Sequence, residues 1–492
     1  MKVKVKISDW DAGLPVIMLR KKTARYLGVH SKQRLSIKTL SSKPKQINAI
    51  VDIFEKVLKE DEVAVSKEVK EKLNLHIGQK VEISLATLPK SLGLIKEKLI
   101  GRKLSKEEIE LIIKDIVENN LSESEIALFI SGMYKNKMTF QETINLIKAI
   151  LNNGEKISFK QKYIVDKHCI GGLAGNRTTP IVVAICASQG LIMPKTSSRA
   201  ITSAAGTADV IETISPVDLS MKKVKEVVKK TNACMVWGGG LGMVPADSKI
   251  ISIEKELGID PEAQLLASVM AKKLAVGSKY ILIDIPYGKY AKVTKSKAED
   301  LKFKFQKIGN YFGVKMKVVL TKGDSPLGRG VGPILEMKDV LDVLNSDKIG
   351  PKDLEDKSTY LAGQIFEMSK MCKKGKGQLL AKYSLETGQA FEKFNEIIIA
   401  QGGKIRELNA ASFQHEIKAK RSGKVKNLNN RKINQLARVA GCPIDKGAGV
   451  YLNKKKGEKF KKGDTIITLY SDSKSRLGEA INFFEKEKPF NL

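Results

Sequence analysis

The sequence predicts a multidomain α/β protein. Its expected parts are a β-barrel at the N-terminus, a helical domain, an α/β domain with a largely parallel mixed sheet, and a C-terminal α+β domain. Three observations predict this. Within residues 1–88, one segment recurs 46 residues later. Three Ser/Thr-x-x-Glu helix starts follow in close succession. Beyond residue 159, short apolar runs alternate with glycine-rich turns and helical patterns, the order that builds parallel sheets.

The repeat pairs Leu27-Gly28-Val29-His30 and the residues to Ile37 with Leu73-Asn74-Leu75-His76 and the residues to Ile83. Each copy reads as strand, short basic helix, turn and strand. Alternation at Val3, Val5 and Ile7, and again at Val81 and Ile83, marks strands with one buried face. Two interleaved copies close a small barrel of the double-psi type over residues 1–88. His30 and His76 occupy equivalent repeat positions, which favours a role in the turn over catalysis.

The helical domain is expected over residues 91–158, joined by about 244–276. Its capping boxes are Ser105 with Glu108, Ser122 with Glu125, and Thr139 with Glu142. Ile109, Ile112, Ile113 and Ile116 then recur at helical spacing. Asp260-Pro261-Glu262 reads as N-cap, proline at the first helical position and acidic first turn. The helix that follows puts Gln264, Ser268 and Lys272 on one face, with Leu265, Leu266, Val269 and Met270 on the other. Such a polar face can hydrogen-bond a base or sugar, or simply face solvent.

The α/β domain is expected over residues 159–243 and 277–400. A strand at 163–165 precedes Asp166-Lys167-His168, the glycines Gly171, Gly172 and Gly175, then Thr178-Thr179 and a helix at 181–187. The pattern repeats with a strand at 191–195, Thr196-Ser197-Ser198-Arg199, the turn Ser203-Ala204-Ala205-Gly206-Thr207 and a helix at Asp209. Strand, glycine turn and helix aim backbone N–H groups and a helix N-terminus at an anion. Two such loops would bring hydroxyls and the cations Lys167 and Arg199 together around an oxyanion such as phosphate. Ordinary capped turns are the plain alternative. Further strands are expected at 234–237, 280–285 and 314–320, and Gly238-Gly239-Gly240 reads as a tight turn or a close backbone approach.

The C-terminal domain, 401–492, is rich in Lys and Arg over 418–438 and 454–462. Residues 457–471 resemble the turn and strand pairs of barrel-sandwich domains. Its charge is most simply a solvated surface.

The chain of 492 residues carries a formal net charge of +33. It holds no apolar run of about 18 residues, the length of a membrane span, and MKVKVKISDW lacks an apolar signal core. The five cysteines form no CxxC pair, which suggests a reducing, cytoplasmic setting. No metal ion or cofactor is expected. The positive charge suits a solvated surface or the steering of anionic substrates. No RNP-like motif or aromatic-interleaved basic stripe supports nucleic acid as the main partner.

Lys167-His168-Cys169-Ile170-Gly171-Gly172, followed by the segment from Thr196 to Asp209, resembles the signature region of the thymidine and pyrimidine nucleoside phosphorylases. The resemblance is closer to their archaeal AMP phosphorylase branch, and it spans nearly the whole chain. It includes an N-terminal extension that ordinary thymidine phosphorylases lack. It implies a pentosyltransferase that converts AMP and phosphate to adenine and α-D-ribose 1,5-bisphosphate, with CMP and UMP as further substrates. It also implies a helical domain packed across a cleft from the α/β domain, and a homo-dimer or larger homo-oligomer.

By the same resemblance, Lys167, Thr179, Ser197 and Thr207 fall at phosphate contacts. Gly172, the run Ser198, Arg199, Ala200, Ile201, Thr202 and Ser203, and Thr207 fall at AMP contacts. Ser268 and Lys272 keep the register of the base-and-sugar face, Lys292 falls at a nucleotide contact, and Asp260 at the proton donor. A helix start favours the carboxylate, whereas a general acid must hold its proton, so a plain cap remains the alternative for Asp260. Two departures stand out: Cys169 replaces a serine of the relatives, and Ser252-Ile253-Glu254 lacks the arginine with which thymidine phosphorylases read the base. A phosphoribosyltransferase of the same fold, using phosphoribosyl pyrophosphate and magnesium, is the competing enzyme; a basic nucleic-acid-binding protein is the competing non-enzyme.

Overall fold

The computed structural model describes residues 1–7, 10–159, 163–200 and 203–491. The chain divides into two compact units, Met1–Asn153 with Pro245–Ala267, and Gly154–Val244 with Ser268–Leu492.

In the first unit, strands close a barrel in the order Lys2–Ile7, Glu62–Val65, Val16–Arg20, Gln46–Phe54, Arg34–Thr39, Lys80–Leu85. The repeat is visible bond by bond. Lys2–Ile7 runs parallel to Glu62–Val65, and Val16–Arg20 runs parallel to Gln46–Phe54. The helices Lys21–Leu27 and Lys67–Leu73 both end on a left-handed residue, Gly28 and Asn74. The His30 N–H donates to Gln33 Oε1 at 2.9 Å, and the His76 N–H donates to Gln79 Oε1 at 3.0 Å. Both histidines are exposed, so the turn uses their backbone rather than their rings. The alternating Val3, Val5, Leu35, Ile37, Val81 and Ile83 fill the interior, each contributing roughly 1.5–3 kcal/mol of burial.

The same unit holds the helices Lys90–Leu99, Lys106–Glu118, Glu123–Asn136, Phe140–Asn152 and Pro245–Leu257. All three expected capping boxes are formed. Glu142 does more than cap. Its carboxylate also accepts from the buried Lys98 ammonium at 2.9 Å and from the Leu104 N–H at 3.0 Å.

In the second unit, Lys315–Lys322, Tyr280–Tyr287 and Val165–Cys169 pair in parallel, as do Met193–Ser197 and Ala233–Trp237. A parallel bridge between Ile164 and Ile192 links the two groups. The strand Val165–Cys169 corrects the expected 163–165. Pairing with Tyr280–Tyr287 continues to Cys169, so Asp166, Lys167 and His168 lie within the strand rather than after it. The helix Thr178–Ser188 is buried from Thr178 to Ala187, and for this reason its sequence shows an apolar block instead of an amphipathic period.

Toward the C-terminus, Gly330–Val331, Gly449–Tyr451, Thr465–Ser471 and Phe413–Lys418 form an antiparallel sheet in that order. Gly330–Val331 comes from the stretch expected in the α/β domain, yet it pairs with this later sheet. The helix Asn430–Ala440 packs beside it. Among the described residues no helix is long and apolar enough to cross a membrane.

Candidate active site

The strand Val165–Cys169 carries Lys167, His168 and Cys169 to its C-terminal end, where a glycine turn follows. Gly171, Gly172 and Gly175 have φ of +87°, +83° and +66°, a region that suits glycine. At Gly172 a Cβ would lie 2.6 Å from Lys292 Cβ. That close approach brings the Lys292 backbone beside the loop. Lys167 is 1% exposed. Its Nζ donates to Thr178 Oγ1 at 2.7 Å and Thr179 Oγ1 at 3.3 Å. Burial pulls its pKa below the ordinary lysine value. Asp284, among other groups, opposes that shift. Asp284 is itself buried, ion-paired with Lys357 at 3.0 Å and accepting from Thr321 Oγ1 at 2.7 Å. The Cys169 thiol accepts from Asn176 Nδ2 at 3.2 Å, and burial pushes its pKa up, so it stays protonated at neutral pH.

The second loop leaves the strand Met193–Ser197. Thr196 Oγ1 and Ser197 Oγ are buried without a hydrogen-bond partner among the described residues. A buried hydroxyl left so costs about 1–3 kcal/mol, and it calls for a ligand or another reason. The Asp209 carboxylate organises the turn by accepting from the Ala200 N–H at 2.7 Å and the Gly206 N–H at 2.8 Å. Ser198 is exposed, and Ser203 Oγ donates to the Ala205 carbonyl at 2.9 Å. Ile201 and Thr202, expected in this run, lie outside the described residues.

Arg199, expected with Lys167 around an oxyanion, is engaged with carboxylates. Arg199 donates to Glu212 at 2.7 and 2.6 Å and to Asp209 at 3.3 Å, and stacks over Trp237 at 5.0 Å. Its charge is spent on carboxylates that follow it in the helix Thr207–Ile211 and its cap. The arginine that joins the two loops is Arg177. Its Nη1 donates to Thr207 Oγ1 at 3.0 Å and its Nη2 to the Ala205 carbonyl at 2.8 Å, while Nε pairs with Glu336.

The helix Glu262–Ala275 spans the division between the units. Its first bond runs from the Leu265 N–H to the Pro261 carbonyl at 2.9 Å. Asp260 therefore sits one residue before the capping position, not on it, and it is exposed. Gln264 does not join the expected polar face: it is 1% exposed and donates to Asp247 Oδ1 at 2.9 Å. Ser268 and Lys272 do meet, with Lys272 Nζ donating to Ser268 Oγ at 2.9 Å. Next to Lys272, the fully buried Lys273 pairs with Asp166 at 2.9 Å, and Lys195 lies 3.9 Å from the same carboxylate. Burial holds the His168 pKa well below the usual imidazole value. Lys273, Lys195, Lys272 and Lys167 add to that, in this order, so the ring is neutral.

Residues 161–391 match the glycosyl transferase family a/b domain, residues 92–154 its helical bundle domain, and residues 424–490 the pyrimidine nucleoside phosphorylase C-terminal domain. The chain is 44% identical to AMP phosphorylase of Pyrococcus horikoshii and 38% identical to that of Methanococcus aeolicus. Each comparison covers all of this chain, with 98% and 97% of the relative. The chain belongs to the AMP phosphorylase family. A putative thymidine phosphorylase of Parvibaculum lavamentivorans is 38% identical over 87% of this chain and 85% of its own length. The anthranilate phosphoribosyltransferase of Thermus thermophilus superposes with a TM-score of 0.53 at 16% identity, covering 63% of this chain and 99% of that one; this likeness concerns the fold.

Arg177, Lys195, Lys273, Asp284 and Lys357 were not singled out. One signal was present: a lone aspartate inside the apolar run Tyr280–Tyr287 is a residue type that is buried only when paired.

Proposed function

We propose that the chain catalyses phosphorolysis of nucleoside 5′-monophosphates, AMP plus phosphate giving adenine plus α-D-ribose 1,5-bisphosphate, with CMP and UMP as further substrates. It is a pentosyltransferase of nucleotide metabolism. The observation that carries this reading is the end-to-end likeness to proteins named AMP phosphorylase, 38–44% identical over the full chain. The competing phosphoribosyltransferase rests on a likeness of fold at 16% identity, and it is not favoured.

A phosphate oxygen attacks C1′, and the C1′–N bond breaks with its electron pair passing to the base. In this reading Lys167, Thr179, Ser197 and Thr207 hold the attacking phosphate. The buried hydroxyls of Thr196 and Ser197, without a hydrogen-bond partner among the described residues, support an oxyanion there. Gly172, Ser198 to Ser203, Ser268, Lys272 and Lys292 hold the nucleotide. Asp260 gives the proton that the departing base takes up. The resemblance alone supports that role, and its exposed place ahead of the helix requires burial against the bound base.

The same reading takes the chain as four domains, with the boundaries expected above. It assigns the barrel to the double-psi type and the C-terminal sheet to the barrel-sandwich type. It also makes the protein a cytoplasmic homo-dimer or larger homo-oligomer, in keeping with its unpaired cysteines.

The test is incubation with AMP, with and without phosphate. Adenine and ribose 1,5-bisphosphate are expected only with phosphate; equal base release without it points to a hydrolase. Asp260→Asn is expected to lower turnover by about 10²–10⁴ with an unchanged melting temperature. Turnover within a few-fold of wild type would remove Asp260 from the mechanism.

A further inference from the structure

The helix Asn430–Ala440 carries two asparagines one turn apart, 0% and 7% exposed. Each holds the backbone of a different glycine loop. The Ala174 N–H donates to Asn430 Oδ1 at 3.3 Å, and the Ala204 N–H donates to Asn434 Oδ1 at 3.1 Å. Asn430 Nδ2 donates in turn to the Gly323 carbonyl at 2.9 Å. Arg431 Nη2 donates to the carbonyl of Ala291, next to Lys292, at 3.2 Å. Ala174 and Ala204 also pack into the apolar core of the C-terminal segment, with Leu436, Ala437 and Ile467.

We propose that Asn430 and Asn434 are positioning residues that set the spacing between the two anion loops from outside the α/β domain. The physical case is one of rigidity. Glycine loops lose much backbone entropy when ordered, and the described residues of both loops lie outside the named strands. Residues i and i+4 of a helix stand a fixed ~5–6 Å apart. Two acceptors on one helix therefore hold two loops at one separation, as a catalytic constellation needs rigid support. Lys167 sits on the first loop's strand and Ser197 at the start of the second. Their mutual placement thus depends on a helix that, among the described residues, hydrogen-bonds to the loops at Ala174 and Ala204. The inference rests on reading these loops as the phosphate site.

The test uses the full chain. In Asn434→Ala the Ala204 amide loses its acceptor, and its hydrogen exchange without substrates should quicken by about tenfold or more. The kcat/KM for phosphate should fall by about tenfold or more, since small misplacements are costly in such sites. Asn434→Asp keeps the acceptor and should keep Ala204 protected, with a smaller loss. Ile467→Ala, in the same core, should lower the melting temperature at least as much and leave kcat/KM for phosphate within twofold. Unchanged exchange at Ala204, an unchanged kcat/KM in Asn434→Ala, or an equal fall in Ile467→Ala overturns the proposal. If Asn434→Ala does not fold, Asn434→Ser, which is too short to reach, takes its place under the same criteria. Base release without phosphate by the wild type would instead overturn the functional reading, while the exchange result would still report on the hydrogen bond.

Discussion

In the N-terminal barrel, the buried polar residues among those described are Thr23, Ser36, Thr39 and Ser66, all uncharged. In the α/β part of the second unit, the strands bury Asp166, Lys167, Lys195 and Asp284, the helix Glu262–Ala275 buries Lys273, and Arg177 is buried at the start of the helix Thr178–Ser188. The barrel is what a repeat can build for itself: each copy duplicates the other's turn, cap and apolar face. The α/β sheet takes on charges whose desolvation costs several kcal/mol per ion before any pairing repays it. A chain selected only for stability would put apolar residues at those positions. The difference marks the α/β sheet, unlike the barrel, as a place where stability is spent on buried charge.

The largest effect should come from breaking a buried pair. Lys273→Met keeps the volume and leaves Asp166 without its 2.9 Å partner. A destabilisation of about 3–5 kcal/mol is expected, read by denaturant unfolding. A cost below about 1 kcal/mol would mean that these charges are mere packing, and the contrast with the barrel would collapse.

Lys167→Ala sharpens the contrast on the functional side. It removes a charge-assisted donor and should weaken phosphate use by about 1.5–3 kcal/mol, roughly tenfold to a hundredfold. Nucleotide binding should change less. Wild-type phosphate dependence in the variant would move the anion away from this loop.

Glu212 supplies a pH test. The hydrogen bonds and charge of Arg199, with Lys446 at 2.7 Å, hold its pKa down to about 2. A depressed carboxylate stabilises the fold above its unfolded pKa of about 4.3, and that gain is lost as pH falls toward about 2. Glu212→Gln should therefore cost about 1–2 kcal/mol at pH 7, after allowing for partial exposure. The gap between variant and wild type should close between about pH 4.5 and 2. A pH-independent gap would assign the loss to shape rather than charge.

The smallest effect belongs to the barrel. Gln79→Ala removes one turn bond, to His76, at an exposed site. It should cost under about 1 kcal/mol and leave turnover unchanged. A clear loss of turnover would show that the barrel is not the passive partner in this comparison.

Local chemistry was legible without coordinates. Ser105, Ser122 and Thr139 announced their helices because a capping box is written within four residues. The barrel announced itself because its repeat copies the same turn residues at a fixed distance. Glycines and hydroxyls marked the two loops as anion-loop candidates, while the naming of Lys167, Ser197 and Thr207 as phosphate contacts came from the resemblance to the nucleoside phosphorylases. The partners of these groups could not be named. Arg199, expected beside Lys167 at an oxyanion, pairs with Glu212, and Arg177, to which the sequence assigns no role, reaches Thr207. The sequence by itself determined where the chain turns, caps and hides its apolar faces, because those depend on neighbours within a few positions. Only the tertiary structure decided which charges cancel and what holds the loops. Asn434 and Ala204 are 230 positions apart, and no spacing rule reaches across that distance. A hydrogen bond between them exists only once the sheet and the C-terminal helix are packed together.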